Sequence, residues 1–529
     1  MADNSHNHDL AEKTQTVPVE KSELYMNEEL EKNEQEVAPI SNGGDTAFAN
    51  ASWQYKTIAL VTALLFPLGS HFSASALSAM KAPIKANLHI DNTRYGVLAS
   101  AVSIINTIFP IAGGVFIDMF GSVWGTLAVN CLIIIGSLLT AVAAKIESFA
   151  LMVVGRVVFG IGSGLIVTMQ ESLLSKWFRT EHLSIAIGLQ LSISRLSTFL
   201  GTLVANPIAE KTGDWVWAFW LSFILCGFSI LMNVIYALTV MKLRGNVVIS
   251  KEEVARLKNK KTFKWRSVFK FPTIYWHIIL IEFIFAAVWS SFQTISTELV
   301  IVHFNTTSVL AGYTASASQS IPIVATAVLG VFMDYFGHRI TVLLISAIFL
   351  ILSSGLLGWT YVDAIVGMIF YSISLAFGPI AMITSIGMIL PSDYIGTGLG
   401  IYKSSNNVGT TILDIVVGVI QDNTHNQAYT GVMTLFIVLG GIGFVLIFGL
   451  IITQRFYLRN LLQTTRANRT AIMKEVNDKE LFYTQQGLDA YTGVNPAIQN
   501  YIYVGCFIVC LLVAWVLFFV YAATGGVAA

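Results

Sequence analysis

Thirteen stretches of largely apolar residues run through the chain, each long enough to cross about 30 Å of hydrocarbon at 1.5 Å per helical residue. They fall near 57–80, 94–117, 120–144, 148–174, 182–208 and 216–240, then 273–302, 308–333, 339–360, 363–390, 394–420 and 428–453, and last 499–523. Two hydrophilic segments, 241–272 and 454–498, divide them into six, six and one. The pattern predicts an all-α polytopic membrane protein. Its expected parts are an acidic, disordered cytosolic tail (1–55), a six-helix bundle (56–240), a basic cytosolic linker (241–272), a second six-helix bundle (273–453), a cytosolic loop (454–498) and a thirteenth transmembrane helix (499–523).

Composition supports the bilayer as solvent. Of 529 residues 55% are apolar and 12% charged, too few charges to solvate a water-facing surface of this size. Acidic and basic residues balance at 31 each, so no bulk field draws the chain to nucleic acid. Cys131, Cys226, Cys506 and Cys510 lie in apolar runs without metal spacing and read as packing residues; no metal or cofactor is expected. The absence of a phosphate-binding loop or dinucleotide fingerprint argues against an ATP-driven pump and against an enzyme. Residues 1–50 lack the basic start and apolar core of a cleavable signal peptide.

Basic residues near helix ends stay in the cytosol. The 241–272 segment holds ten of them, whereas the connections 303–308, 361–362 and 421–427 hold none. The amino terminus and both long loops are therefore expected in the cytosol, and the tail ending at Ala529 on the opposite side. Asn305-Thr306-Thr307 is then a non-cytosolic glycosylation acceptor. Ser250-Lys251-Glu252-Glu253 reads as a capping box opening a basic amphipathic helix with Trp265 and Phe269.

An internal repeat ties the halves together. Gly114-Val115-Phe116-Ile117-Asp118-Met119-Phe120-Gly121 closes the second predicted span, and Gly330-Val331-Phe332-Met333-Asp334-Tyr335-Phe336-Gly337 closes the eighth. Glycine permits a tight turn and close helix approach, and aspartate can accept amides at a neighbouring helix end, which is hardware for a gate. The octapeptide resembles the loop motif of the major facilitator superfamily, Gly-x-x-x-Asp-x-x-Gly followed by basic residues. The resemblance implies two six-helix bundles that rock about a central cavity. The second copy continues His338-Arg339 but the first continues Ser122-Val123, so the two corners are not equivalent.

An ionisable side chain inside a membrane helix costs at least about 2.5–3.5 kcal/mol, so each one calls for a role. Arg156 precedes closely spaced glycines in the fourth span, a sequence that resembles the superfamily's fourth-helix signature; Glu171 follows on the same helix. Arg195 lies deep in the fifth span, His71 in the first, His277 and Glu282 in the seventh, and Lys403, Asn406, Asn407 and Asp414 in the eleventh. Interhelical ion pairing competes with substrate contact for Glu282, Lys403 and Asp414, whereas the depth of Arg195 favours a cavity role.

Gly69-Ser70-His71-Phe72, Phe120-Gly121-Ser122-Val123-Trp124-Gly125-Thr126, and Gly155-Arg156 through Gly162 with Gly188-Leu189-Gln190-Leu191-Ser192-Ile193-Ser194-Arg195 resemble the superfamily's lysosomal dipeptide uniporters. In that family a fourth-helix Glu and the fifth-helix Arg are expected to engage the amino and carboxylate ends of a dipeptide. Arg195 matches the second; the expected Glu position is Gly164, and the nearest carboxylate is Glu171, two turns on. The resemblance implies uniport of dipeptides or similar small metabolites across a lysosomal or vacuolar membrane, with the plasma membrane as the alternative. It also implies an accessory glycoprotein partner and leaves a homodimer open. A monocarboxylate or other small-anion carrier, with or without proton coupling, would need Arg195 but no membrane carboxylate; a non-transporting receptor or scaffold is the reading from another class. Tyr491-Thr492-Gly493-Val494 fits a tyrosine-based sorting pattern.

Overall fold

The computed structural model describes residues 51–110, 122–178, 183–244, 265–391, 394–469, 471–472 and 496–524. The acidic tail to residue 50, the capping box, the first copy of the repeat (Gly114, Asp118, Gly121) and the sorting pattern lie outside the described residues.

Every regular element among them is helical. The first half comprises α1 (Trp53–Leu65), α2 (Leu68–Ala79), α3 (Lys81–Leu88), α4 (Asn92–Ile105), α5 (Ser122–Lys145), α6 (Phe149–Trp177), α7 (Leu183–Thr212) and α8 (Trp217–Arg244). After the short α9 (Trp265–Val268), the second half comprises α10 (Thr273–Phe304), α11 (Ser308–Ser316), α12 (Ser320–Phe336), α13 (Arg339–Trp359), α14 (Ala364–Ile389), α15 (Ile395–Asp422) and α16 (Thr430–Tyr457). Last comes α17 (Ile498–Thr524). We call the side where α8 ends and α10 begins the linker face, and the opposite side the distal face.

Among the described residues, eleven helical stretches are long and apolar enough to span a membrane. The predicted second and eleventh spans are not among them, for different reasons. Only α4 and residues to 110 of the second are described. The eleventh is a 28-residue helix, α15, whose Lys403, Asn406, Asn407, Asp414 and Asp422 lower its apolarity because it faces the other bundle rather than lipid.

Two spans are broken. Pro67 separates α1 from α2, as expected of a residue without an N–H to continue the ladder. In the eighth span a 3-10 turn, Ala317–Gln319, joins α11 to α12. Pro322 denies the carbonyl of residue 318 its usual donor, and the backbone tightens there. Each half has its own apolar core, with Phe66, Phe159 and Trp177 in the first and Phe285, Trp289, Phe292 and Tyr371 in the second; the rings of Phe292 and Tyr371 stack at 4.1 Å.

The bundles meet along two seams. At the first, α4 crosses α15 where Gly96 and Gly418 let backbones touch: a β-carbon on either would fall 2.5 Å from a carbonyl oxygen of the opposite helix. The helix α17 covers this seam, packing Ala514 and Phe518 against Val97, Ala101, Val408 and Ile415. Trp515 Nε1 donates to Thr107 Oγ1 of the first half at 3.1 Å. Toward the linker face, Asn500 Nδ2 donates to the carbonyls of Phe269 (2.9 Å) and Phe271 (2.7 Å) before the second half begins. At the second seam, α7 packs on α11 and α12, and no thirteenth helix lies over it among the described residues.

Candidate functional site

The 3.6-residue period puts His71, Ser75 and Ser78 of α2 on one stripe, and Arg195, Thr198 and Thr202 of α7 on another. Arg195 is about 18 Å along its helix at 1.5 Å per residue. It is half-buried, and no hydrogen bond or ion pair holds its guanidinium among the described residues. His71 stands within its electrostatic reach, with a buried Nε2 that has no hydrogen-bond partner there. The phenols of Tyr371 and Tyr402 approach Arg195 from the second bundle. Tyr371 is anchored to Trp289 O at 2.5 Å and receives Gln293 Nε2 at 3.1 Å. A guanidinium thus sits between the bundles, near the middle of its helix, with no partner among the described residues.

One helical turn toward the distal face lies a cavity of about 150 Å³, lined by hydroxyls and amides of α2, α7 and α10 and by Ser318 and Gln319 of the interrupted eighth span.

Of the other carboxylates predicted from sequence, Glu171 and Glu282 sit toward the linker face and Asp414 toward the distal one. Glu282 is 1% exposed; Asn406 Nδ2 donates to its Oε1 at 3.1 Å, and Tyr402 lies beside it. Glu171 faces Lys403 across the bundles, Nζ to Oε2 at 3.3 Å, with the side chains 38% and 30% exposed. Asn407 spends its amide on the Lys403 carbonyl at 2.7 Å. Asp414 accepts from Ser291 at 2.6 Å. Arg156 stands apart in the first bundle, over the ring of Phe159 at 4.7 Å and near Tyr95 and Cys226. His277 packs beside Gly449 of α16. The predicted residues therefore separate into a central group, His71, Arg195 and Glu282 with Tyr402, and an inter-bundle pair, Glu171 and Lys403.

An ion pair this exposed contributes at most about 1 kcal/mol. Glu171→Lys should therefore lower uptake several-fold through repulsion with Lys403 while leaving the melting temperature near wild type. Adding Lys403→Glu should restore uptake; equal defects in the single and double variants would remove the pair from the gate.

The distal face is closed by groups that sequence reasoning did not assemble. Glu298 of α10 receives Lys81 Nζ on Oε2 at 2.7 Å and Lys85 Nζ on Oε1 at 2.8 Å. Lys81 also reaches Gln421 (2.9 Å) and Tyr429 (3.0 Å), and the Tyr429 hydroxyl returns to Glu298 at 2.5 Å. Next to it, Asp422 of α15 takes both backbone amides that open α4, Asn92 N at 3.0 Å and Thr93 N at 2.8 Å. A carboxylate from one bundle thus satisfies orphan donors and the positive end of a helix in the other. Side-chain exposure of Lys81 and Glu298 is 2% and 6%, so this face is dry where the linker-face pair is wet. Only the spacing of Lys81 and Lys85, one turn apart after an apolar run, signals it in the sequence.

At the second copy of the repeat, Gly337 ends α12 at φ +77°, and Asp334 meets Arg339 at 3.3 Å. Gly330 lies against Ile380 of α14. A second arginine joins from beyond α16: Arg469 donates to the carbonyls of Asp334 (2.7 Å) and Met333 (3.2 Å).

Two helical bundles closed at one face around a buried polar chamber, with an ion pair at the other, define a membrane carrier rather than an enzyme. A sequence profile described as Major Facilitator Superfamily matches residues 63–317 and 278–527. The chain belongs to that superfamily.

Relatives include the lysosomal dipeptide transporter MFSD1 of Bos taurus, 24% identical over 397 residues that cover 73% of this chain and 83% of that protein. The Mus musculus protein of the same name is 25% identical over 389 residues, 70% of this chain and 81% of that one. Among solved structures, the partially occluded inward-open xylose transporter XylE from E. coli aligns with a TM-score of 0.58 at 13% identity, covering 75% of this chain and 97% of that one. A peptide transporter POT in complex with sulfate aligns with a TM-score of 0.57 at 14% identity, covering 74% and 93%. These likenesses concern the fold.

Proposed function

We propose that this protein is a facilitative carrier of dipeptides or similar small carboxylate-bearing metabolites across a lysosomal or vacuolar membrane, with Arg195 receiving the substrate carboxylate. The observation that carries the reading is a guanidinium at mid-membrane whose donors have no partner among the described residues. A planar five-donor fork in low dielectric suits an oxyanion that accepts in bidentate fashion, a carboxylate or a phosphate. The names of the curated relatives support the dipeptide and the lysosomal membrane. On this reading the units 56–240 and 273–453 rock against each other. The distal network and the Glu171–Lys403 pair are the alternating closures, and the linker face lies in the cytosol.

One observation favours a second reading, a small-anion carrier. At Gly164, where the resemblance places the dipeptide family's carboxylate, this chain has no side chain and the Asn106 amide fills the space a β-carbon would take, so that amine-binding group is absent at this position. Counterflow uptake into proteoliposomes separates the two. Dipeptides should exchange and monocarboxylates should not, with no change when a pH gradient is imposed. Exchange of monocarboxylates alone would replace the dipeptide reading, and acceleration by a proton gradient would replace uniport.

A further inference from the structure

The polar cavity one turn beyond Arg195 has a definite hydrogen-bonding sign. Six of its hydroxyls donate their single proton to a carbonyl of their own helix: Ser75 to His71 (3.1 Å), Ser78 to Ala74 (3.3 Å), Thr198 to Ser194 (3.0 Å), Thr202 to Thr198 (3.3 Å), Thr294 to Ser290 (3.1 Å) and Ser296 to Gln293 (3.1 Å). A hydroxyl has one donor and two acceptor sites, so a hydroxyl whose proton is spent faces the cavity as an acceptor. Gln293 spends its amide nitrogen on Trp289 O (3.3 Å) and the Tyr371 phenol (3.1 Å), which leaves it an oxygen to offer. Gln319, 2% exposed, also lines the cavity, with its side-chain oxygen buried and without a hydrogen-bond partner among the described residues. No lining residue is charged.

An uncharged lining in which six of eight hydroxyls face inward as acceptors, with only Ser290 and Ser318 keeping an uncommitted proton among the described residues, is complementary to a compact group made only of donors. We infer that this cavity is the seat of the substrate's ammonium group, which is held by hydroxyl and amide oxygens and not by a membrane carboxylate. An ammonium has three donors and no acceptor, and oxygen dipoles can replace its hydration shell as they do for alkali cations in filters. The volume, about 150 Å³, is that of roughly five waters at about 30 Å³ each, enough for an ammonium and the first carbons behind it.

The spacing fits as well. Thr198 and Thr202 lie three and seven residues beyond Arg195, about 4.5 and 10 Å along the helix; two extended residues reach about 7 Å at most. A dipeptide with its carboxylate on Arg195 therefore places its amino end among these hydroxyls, pointing to the distal face. This orientation, which rests on the dipeptide reading, frees Glu171 for Lys403 and leaves Glu282 to Asn406 and Tyr402.

Thermal stabilisation of the purified full-length chain tests it with three probes at matched ionic strength: a dipeptide, its N-acetyl derivative, and ethylammonium, which has no carboxylate. In wild type, acetylation should weaken binding at least tenfold. Thr202→Val with Ser75→Ala should weaken the free dipeptide to the level of the acetylated one and abolish the ethylammonium response, while Arg195→Ala weakens both peptides and spares ethylammonium. Thr198→Val alone, which removes one acceptor hydroxyl and keeps the volume, should act in the same direction if the double variant does not fold. Ethylammonium binding that survives the cavity variants, or an amine dependence that moves to Glu171→Gln or Glu282→Gln, would overturn the inference. If no dipeptide binds but ethylammonium still depends on the cavity, the dipeptide reading fails and the ammonium seat stands.

Discussion

Replacing Arg195 with alanine is expected to lower dipeptide counterflow by at least a hundredfold without lowering the melting temperature. Each hydrogen bond to a charged group contributes about 1.5–3 kcal/mol, and a bidentate pair supplies two, so their loss costs about 3–6 kcal/mol of substrate binding. Stability should not suffer, because no described side chain depends on the guanidinium and an unpaired membrane cation is itself costly. Arg195→Lys keeps the charge and loses the fork, so it should recover no more than about a tenth of the activity. A large fall in melting temperature for Arg195→Ala would mark a structural residue and remove it from the substrate site. Wild-type uptake would do the same.

The second large effect belongs to Glu298. Glu298→Gln leaves Lys81 and Lys85 facing a neutral amide, with Lys81 only 2% exposed. Removing one partner of a buried ion pair typically costs about 3–5 kcal/mol, which is a factor of a hundred or more in an equilibrium constant. Lys81 and Lys85 come from the first bundle and Glu298 from the second, so the cost falls on the distally closed state. Labelling of a Ser290→Cys reporter in the cavity by an impermeant maleimide added at the distal face should rise at least tenfold, and exchange should slow because one closure is missing. Asp422→Asn should move both readouts the same way, since Asn92 N and Thr93 N use separate carboxylate oxygens and an amide keeps only one of them as an acceptor. Unchanged labelling in Glu298→Gln would show that closure there rests on packing alone.

Much of the architecture is legible from apolar run length because the bilayer leaves helices few alternatives. The thirteenth helix, predicted at 499–523, is α17, Ile498–Thr524. Arg195 is legible for the same reason, as a charge deep in a membrane helix, and the role given to it is the proposal made above. The distal network was not: Lys81 meets Gln421 and Tyr429 across separations of 340 and 348 residues, and Glu298 carries no local mark that distinguishes it from Glu282 or Glu171. Nor could apolarity or motif reveal that Glu171 is spent on Lys403, or that Arg469 joins the corner at Asp334; each is a fact of tertiary packing. The acceptor cavity hides more completely, since serine and threonine in membrane helices are common and only the direction of their protons gives the cavity its sign.

The placement of α17 over one seam has a consequence for traffic from the lipid. A hydrophobic compound dissolved in the bilayer and diffusing toward the dividing plane between the bundles meets the exposed Leu512, Val516 and Phe519 of α17 on the α4–α15 side and, among the described residues, α7, α11 and α12 on the other. Inhibitors that partition into the membrane should therefore wedge this carrier from one flank alone, and a photoreactive lipid analogue should mark the edges of α7 and α12 while leaving the buried faces of α4 and α15 unlabelled.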